Sequence, residues 1–311
     1  MRQFYNEKIH LTLINYPSAS KAAVYGFTEI IEVTNSVCEN LGISTLFSVY
    51  ACKIEELNSA IETQVVILPP STSDEFYTKK CQDLNDYLKA MQSKGATLAS
   101  ACVGSFILAH GGFLDDKFCT IHWRLAQQFT ECFPRAKLNT NAIIINEGNV
   151  ITAGGRMAWL DLAVEIISFS CPPTVVSTLS KEMVIDIGHR EQKFYRQFIP
   201  KCDHGDEMIL CVQKHLGEHY SKPTMIPVLA EQFYVSARTL QRRFQHAVGM
   251  SVIEYIQKIR LHNACQYLEL SKKSVEEIAY AVGYQNVGAL RKLFYREYGL
   301  SPTDYRKRFT A

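Results

Sequence analysis

One pattern in this 311-residue chain recurs at a fixed spacing and restricts its fold more than any other feature. Phe244-x4-Gly249-x-Ser251-x3-Tyr255 returns as Phe294-x4-Gly299-x-Ser301-x3-Tyr305, an offset of 50, with Leu240 matched by Leu290 and Arg242 by Lys292. Leu229-Ala230 corresponds to Ile278-Ala279 at an offset of 49, so the intervening turns differ by one residue. Self-similarity of this size means two copies of one supersecondary unit.

Each copy reads as a helix-turn-helix. In the first, residues 226–233 form a short helix, Tyr234-Val235 the turn, Ser236 an N-cap and 237–247 the second helix. In the second, Ser274 with Glu277 makes a capping box for a helix over 275–281, Gly283 supplies the turn, and a helix runs over 287–298. Leu240, Phe244, Leu290 and Phe294 fall on the core side. Ser236, Arg238, Thr239, Gln241 and Arg242, with Asn286, Arg291 and Lys292, are then the candidate DNA-binding residues, at the helix ends a helix-turn-helix inserts into a major groove. Between the copies, 251–270 reads as one amphipathic helix of about 30 Å at 1.5 Å per residue. That is close to the ~34 Å between successive major-groove faces. The bland alternative is a helical bundle whose basic residues are merely solvated.

Charge supports the sharper reading. From Lys222 onward there are 14 Lys and Arg against 7 Asp and Glu, a net of +7, whereas residues 1–221 hold 19 against 24, a net of −5. A basic tail third beside an acidic remainder is the footprint of a nucleic-acid-binding module joined to something else.

Ser236-Ala-Arg-Thr-Leu-Gln-Arg-Arg-Phe244, Ile278-Ala-Tyr-Ala-Val-Gly-Tyr284 and Phe294-Tyr-Arg-Glu-Tyr-Gly-Leu-Ser-Pro-Thr-Asp-Tyr-Arg306 closely resemble the AraC/XylS transcription-regulator DNA-binding domain. The resemblance covers 206–309, about a third of the chain, and implies a promoter-binding protein, often dimeric. Where many members carry Ser or Tyr near the start of the second recognition helix, this chain has Val287-Gly288-Ala289. That helix is expected to read fewer bases and to hold mainly backbone through Arg291 and Lys292.

The first half alternates strands and helices. Residues 8–16, 64–68 and 96–101 read as strands, 142–146 and Val150–Ala153 as a hairpin, and 74–93 and 158–170 as helices, the first with a stripe of Phe76, Cys81, Leu84, Leu88 and Met91. The expected fold class is α/β: a flavodoxin-like sandwich around a mainly parallel sheet, followed by an all-α double helix-turn-helix domain. The boundaries expected are 1–172, a linker over 173–205 with its 190–198 run unassigned to either side, and 206–311. Ten cysteines are scattered with no C-x-x-C pair, which fits reduced buried thiols. No apolar run approaches the ~18 residues of a membrane span, and the first fifteen residues lack a signal-peptide core. The chain is read as cytoplasmic, without a membrane partner.

Cys102 follows a strand and precedes a helix, with Gly104 two residues on. This is the strand–turn–helix geometry of a nucleophile elbow. There the helix N-terminus is expected to lower the thiol pKa, and His122 lies within reach of the same cleft. The segments Ala99-Ser-Ala-Cys102-Val-Gly, Phe113-Leu-Asp-Asp, Thr120-Ile-His-Trp, Ile151-Thr-Ala-Gly-Gly-Arg156 and Ala158-Trp-Leu-Asp-Leu-Ala163 resemble the PfpI / class I glutamine amidotransferase-like superfamily, in the branch fused to AraC domains. That resemblance implies proteases, amidotransferases and deglycases using Cys with His and an acid. Here the acid position aligns with Ala23, and Val103 stands where some proteolytic relatives place His. The expectation is therefore a vestigial Cys102/His122 pair in a sensor pocket lined by Cys102, Val103, Gly104, His122 and Pro70, with no catalysis and no cofactor.

Two weaker constellations complete the reading. Cys211, His215 and His219 share a helical spacing, with Cys202 and His204 upstream, but no second chelating pair closes a metal site; the alternative is a first domain helix burying Cys211 and Leu216. Gly154-Gly155-Arg156 suits an anion cradle or a tight turn equally. The whole is read as a transcription regulator that binds promoter DNA, senses an unidentified small molecule and forms a homodimer, with RNA polymerase as a further partner. The rivals are a Cys102-dependent amidase or deglycase, or a thiol redox sensor, joined to a DNA-binding module.

Overall fold

The computed structural model describes residues 8–186 and 191–310. Contacts within the chain divide it into two units, Met1–Gln192 and Lys193–Ala311.

The first unit is built on β1 (Lys8–Ile14), with apolar residues alternating through Ile9, Leu11 and Leu13 and its last four residues, Thr12 included, buried. Ser20 caps α1 (Lys21–Asn40) by accepting from the Ala23 N–H. Then follow β2 (Leu46–Cys52), β3 (Val65–Leu68), α2 (Gln82–Ser93), β4 (Thr97–Ala101) and α3 (Gly104–His110). The chain continues through β5 (Phe118–Cys119), α4 (Ala126–Cys132), β6 (Lys137–Leu138), β7 (Ile144–Asn146), β8 (Val150–Ala153), α5 (Trp159–Ser170) and α6 (Pro173–Glu182). The main sheet has the order β2-β1-β3-β4-β8-β7, parallel throughout except for the antiparallel β7–β8 hairpin. β5 and β6 form a separate parallel pair. Helices α1, α5 and α6 pack together, as do α2 and α3, each group against the sheet. β3 and β8 are buried along their whole length, as strands covered on both faces must be. The α/β expectation therefore holds, with an order that reverses at β1 and β3, so the carboxyl ends of β1 and β3, next to that of β4, lie where such sheets open a crevice.

Three details differ from the sequence reading. The helix expected over 74–93 begins at Gln82, because 74–81 is a run of turns that lays Phe76 on Tyr16 at 5.2 Å and Tyr77 on Phe106 at 5.1 Å. Aromatic packing overrides helical spacing there. The edge strand β2 went unforeseen, since its mixed burial leaves no clean alternation. The expected linker over 173–205 starts inside the first core, where α6 buries Val175 and Leu179; the 190–198 run begins at Arg190, outside the described residues.

The second unit is all-helical: α7 (Glu207–His219), α8 (Ile226–Gln232), α9 (Ala237–Val248), α10 (Val252–Leu270), α11 (Val275–Ala281), α12 (Val287–Tyr298) and α13 (Pro302–Phe309). It holds two cores. Leu240 and Phe244 sit with Ile209, Val212, Leu229 and the first half of α10 (Val252, Tyr255, Ile256, Ile259). Leu290 and Phe294 sit with Ile278, Tyr305 and the second half of α10 (Leu261, Ala264, Cys265, Leu268). The repeat seen in the sequence is thus one packing solution used twice along a shared helix of about 28 Å.

The matched residues do matched work. Gly249 and Gly299 end α9 and α12 in the left-handed region, at φ +80° and +69°. Ser251 and Ser301 then cap α10 and α13, accepting from the N–H of Glu254 and Asp304. The turns between the helices differ. Gly283 has φ +90°, and a Cβ there would lie 2.4 Å from the Ser221 carbonyl oxygen, whereas the corresponding Tyr234 adopts φ +54° with its side chain 97% exposed.

These turns make a stability prediction. Gly249→Ala, which meets only the left-handed penalty, is expected to cost about 1 kcal/mol. Gly283→Ala adds the collision with Ser221 and is expected to cost roughly 3 kcal/mol. Urea unfolding followed by helical circular dichroism ranks the two; equal losses would show that the Ser221 approach is soft.

Candidate nucleic-acid interface and elbow site

The two candidate recognition helices begin on side-chain caps. The Ser236 hydroxyl accepts from the Thr239 N–H at 3.1 Å and hydrogen-bonds the Thr239 hydroxyl at 2.9 Å. Asn286 Oδ1 accepts from the Gly288 N–H at 2.6 Å. Each cap satisfies an N–H that the helix itself leaves open, and so fixes the end of the helix that carries the polar residues. Arg238, Gln241 and Arg242 on α9, and Arg291 and Lys292 on α12, are exposed, and Thr239 is half-buried. On α12 the exposed Gly288 and Ala289 leave the first turn without long side chains, so its cations are concentrated one turn further on.

Not every cation of this region faces solvent. Arg243 forks onto Asp206, with Nε at 3.0 Å and a terminal nitrogen at 2.6 Å, and Asp206 is itself the N-cap of α7. The pair ties α9 to α7, and the Arg243 guanidinium holds the Asp206 carboxyl below the usual range. Arg260 donates to the carbonyls of Tyr220 and Lys222 and lies over the Tyr284 ring, joining α10 to the loop after α7. Neither role was visible in the sequence, where these arginines differ in nothing from their neighbours.

The histidines and cysteines of α7 form no metal cluster among the described residues. His204 bonds Gln213, and His219 stacks on His215 with ring centroids 4.4 Å apart. Cys211 is exposed, contrary to the alternative that buried it, because the inward face of α7 is Ile209, Val212, Gln213 and Leu216.

In the first unit Cys102 occupies the turn from β4 to α3 at φ +56°, a conformation rare for residues with a side chain. The turn is held from both sides: the Cys102 N–H donates to the Ala153 carbonyl at 2.7 Å, and a Cβ on Gly104 would lie 2.5 Å from the Leu68 carbonyl oxygen. Elbow geometry is therefore present, but its ionisation runs opposite to expectation. Cys102 is 3% exposed, and burial pushes its thiol up to about 11, outweighing the Val103 backbone hydrogen bond and the Arg156 guanidinium that pull it down. Desolvating a thiolate costs more here than those partners return.

The candidate pocket residues come together only in part. Val103 and Pro70 are buried beside Cys102 and the end of β3, and Pro70 accepts from the Ser20 N–H at 2.7 Å. His122 is half-buried, and its Nδ1 accepts from the Arg124 N–H at 3.2 Å. Burial, with Arg124 and Arg156, holds it below the ordinary histidine range, and among the described residues no hydrogen bond joins it to Cys102. The charged group felt at the thiol is Arg156, and the thiol in turn is felt at the phenols of Tyr16 and Tyr77. Tyr16 donates to the Pro69 carbonyl.

Gln192 is the residue that sequence reasoning missed. It is 2% exposed; its amide nitrogen donates to the Thr120 hydroxyl at 2.9 Å and to the carbonyls of Ile121 and Ala142 at 2.9 and 3.0 Å, while its Oε1 accepts from the Trp123 N–H at 3.2 Å. A Cβ on Gly154 would lie 1.8 Å from the same amide nitrogen. This one side chain clamps the loop that carries His122 against the turn that carries Arg156. The nearest sequence signal was Gly154, whose missing side chain makes the space.

Residues 229–308 match a helix-turn-helix domain family, and residues 31–169 match the DJ-1/PfpI family. The chain is 28% identical over 229 residues to the HTH-type transcriptional regulator GbdR of Pseudomonas aeruginosa strain UCBPP-PA14, covering 71% of this chain and 60% of that protein. It is 26% identical over 234 residues to the HTH-type transcriptional regulator GlxA of Rhizobium meliloti strain 1021, covering 71% of this chain and 68% of that one. The chain thus spans about 60% of the length of GbdR. A crystal structure of a candidate transcriptional regulator from Vibrio parahaemolyticus superposes at TM-score 0.51 and 18% identity, over 57% of this chain and all of the other, which is a likeness of fold.

The raised thiol makes a pH prediction. Alkylation of Cys102, followed on its own peptide by mass spectrometry, is expected to keep rising up to about pH 11. The exposed Cys132 serves as the internal control. A plateau for Cys102 near pH 7 would mean an activated thiolate and restore the enzyme and redox readings.

Proposed function

We propose that this chain, a DJ-1/PfpI-type domain followed by an AraC-type helix-turn-helix domain, is a transcription regulator that grips duplex DNA through α9 and α12. The single observation that carries the reading is the duplication in the second unit: two capped helices with exposed cations, each on its own core, built along one shared strut. A mere bundle needs neither the repeated caps nor cations left outward on both second helices. In this reading α9 reads bases through Arg238, Gln241 and Arg242, with Ser236 and Thr239 at its capped end. Helix α12, capped by Asn286, holds backbone through Arg291 and Lys292.

The first unit supplies the signal. Its elbow, around Cys102, Val103, Gly104, Pro70 and His122, binds a small effector and performs no turnover. A protonated buried thiol and a histidine whose Nδ1 is occupied by a local cap support binding over catalysis. Effector binding shifts the population of DNA-competent states, and a homodimer presents two such readers to a promoter, in the cytoplasm and in reach of RNA polymerase. No helix among the described residues is long and apolar enough to cross a membrane.

The test is duplex binding by the full chain, using sequences selected from a random library and titrated over salt. Arg242→Ala is expected to weaken binding by about ten-fold and to relax preference at one position. Arg291→Ala and Lys292→Ala are expected to weaken all sequences alike and each to lower the salt slope by about one. Binding that ignores salt and all three substitutions would overturn the reading.

A further inference from the structure

Three segments meet at the carboxyl edge of the main sheet. The β4–α3 turn carries Cys102, whose N–H is bonded to Ala153 at the end of β8. The next residue, Gly154, is pressed by Gln192 and lies against Thr120, so the 120–123 loop with His122 adjoins the same turn. Two residues further on, after Gly155 at φ +103°, the chain presents Arg156. The glycines are therefore explained by the tight turn and the Gln192 clamp, but the arginine is not. Arg156 is exposed, and among the described residues no ion pair joins it to a carboxylate.

The side chains that feel Arg156 are themselves neutral at neutral pH, and Arg124 is a second cation felt at His122. The thiol of Cys102 and the phenol of Tyr77 are protonated, and the imidazole of His122 is neutral; the guanidinium is felt by all three. The carboxylate felt on this side is Asp74, which acts on Tyr77. The edge therefore offers the exposed planar donor fork of Arg156, flanked by neutral thiol, phenol and imidazole groups, with Arg124 adding positive charge on the His122 side. That is the complement of a single negative charge with two equivalent oxygens. A divalent cation or an ammonium group would meet repulsion there.

We propose that the effector carries a carboxylate group and that Arg156 pairs with it beside Cys102. The assignment rests on the reading of the elbow as the effector site, and it names the chemical class that reading left open. Arg156 is then a ligand-binding residue absent from the sequence-derived pocket set; the Cys102 N–H bond to Ala153 sets its strand end against the elbow, and Gln192 sets the His122 loop against its turn.

Two alkylating probes of equal size test this on the full chain. Iodoacetate and iodoacetamide react alike with a thiolate: a sulfur–carbon bond forms, iodide leaves, and the thiol proton has gone to solvent. Their rate ratio at one cysteine is independent of that cysteine's pKa, so it reports the local preference for a carboxylate over an amide. The ratio at Cys102, read by peptide mass spectrometry, is expected to exceed that at the exposed Cys132 by about ten-fold at low salt. Arg156→Gln is expected to bring it down to the Cys132 value, and Arg156→Lys to retain most of it. If Cys102 is labelled by both probes with the Cys132 ratio, unmoved by Arg156→Gln, the elbow is an open site but the carboxylate assignment falls. If Cys102 resists both probes in the folded chain yet reacts in urea, the elbow is closed to ligands of this size, and both the effector-site reading and the carboxylate assignment fall.

Discussion

Helix α10 must satisfy two hydrophobic cores at once, and the second unit depends on that constraint. Its first half completes the core around Leu240 and Phe244, its second half the core around Leu290 and Phe294. Deleting either phenylalanine side chain would remove a term worth roughly 3–5 kcal/mol, a large share of a small domain's net stability. A helix packed at both ends is a rigid spacer, because bending it would open one core or the other. The spacing of the two helix-turn-helix copies therefore follows from buried apolar contacts that never touch a ligand, which leaves the outward cations free of structural duty.

That separation of duties extends to single arginines. Arg242 and Arg243 are adjacent, yet one is exposed and the other is spent on Asp206. A helix rotates by about 100° per residue, so neighbours in sequence face different environments. Charge counting along the chain marks the basic third correctly but cannot allot its members to structure or to recognition.

The first unit shows the same physics with the opposite outcome. Strand, turn and glycine spacing announce the elbow, and the turn forms, with Cys102 in the left-handed region and Gly104 against Leu68. Its chemistry does not follow from that geometry. The aromatic layer of Tyr16, Phe76, Tyr77 and Phe106 arises because residues 74–81 fold into turns instead of extending α2. The thiol itself sits in a desolvated setting, where burial dominates its pKa.

What the sequence determined by itself is whatever acts within a few residues: the repeated Ser caps, the left-handed glycines at 249 and 299, the helix-turn-helix spans, and the alternation of strands and helices that yields a parallel sheet. Caps and periodicities span a turn or two of chain, so they are written where they operate. Only the tertiary structure decided that α6 belongs to the first core, that Gln192 clamps the His122 loop over Gly154, that Arg243 and Arg260 are struts, and that Cys102 is held protonated. Those outcomes depend on solvent exclusion and on partners dozens of residues away, and no local spacing encodes which distant group will arrive.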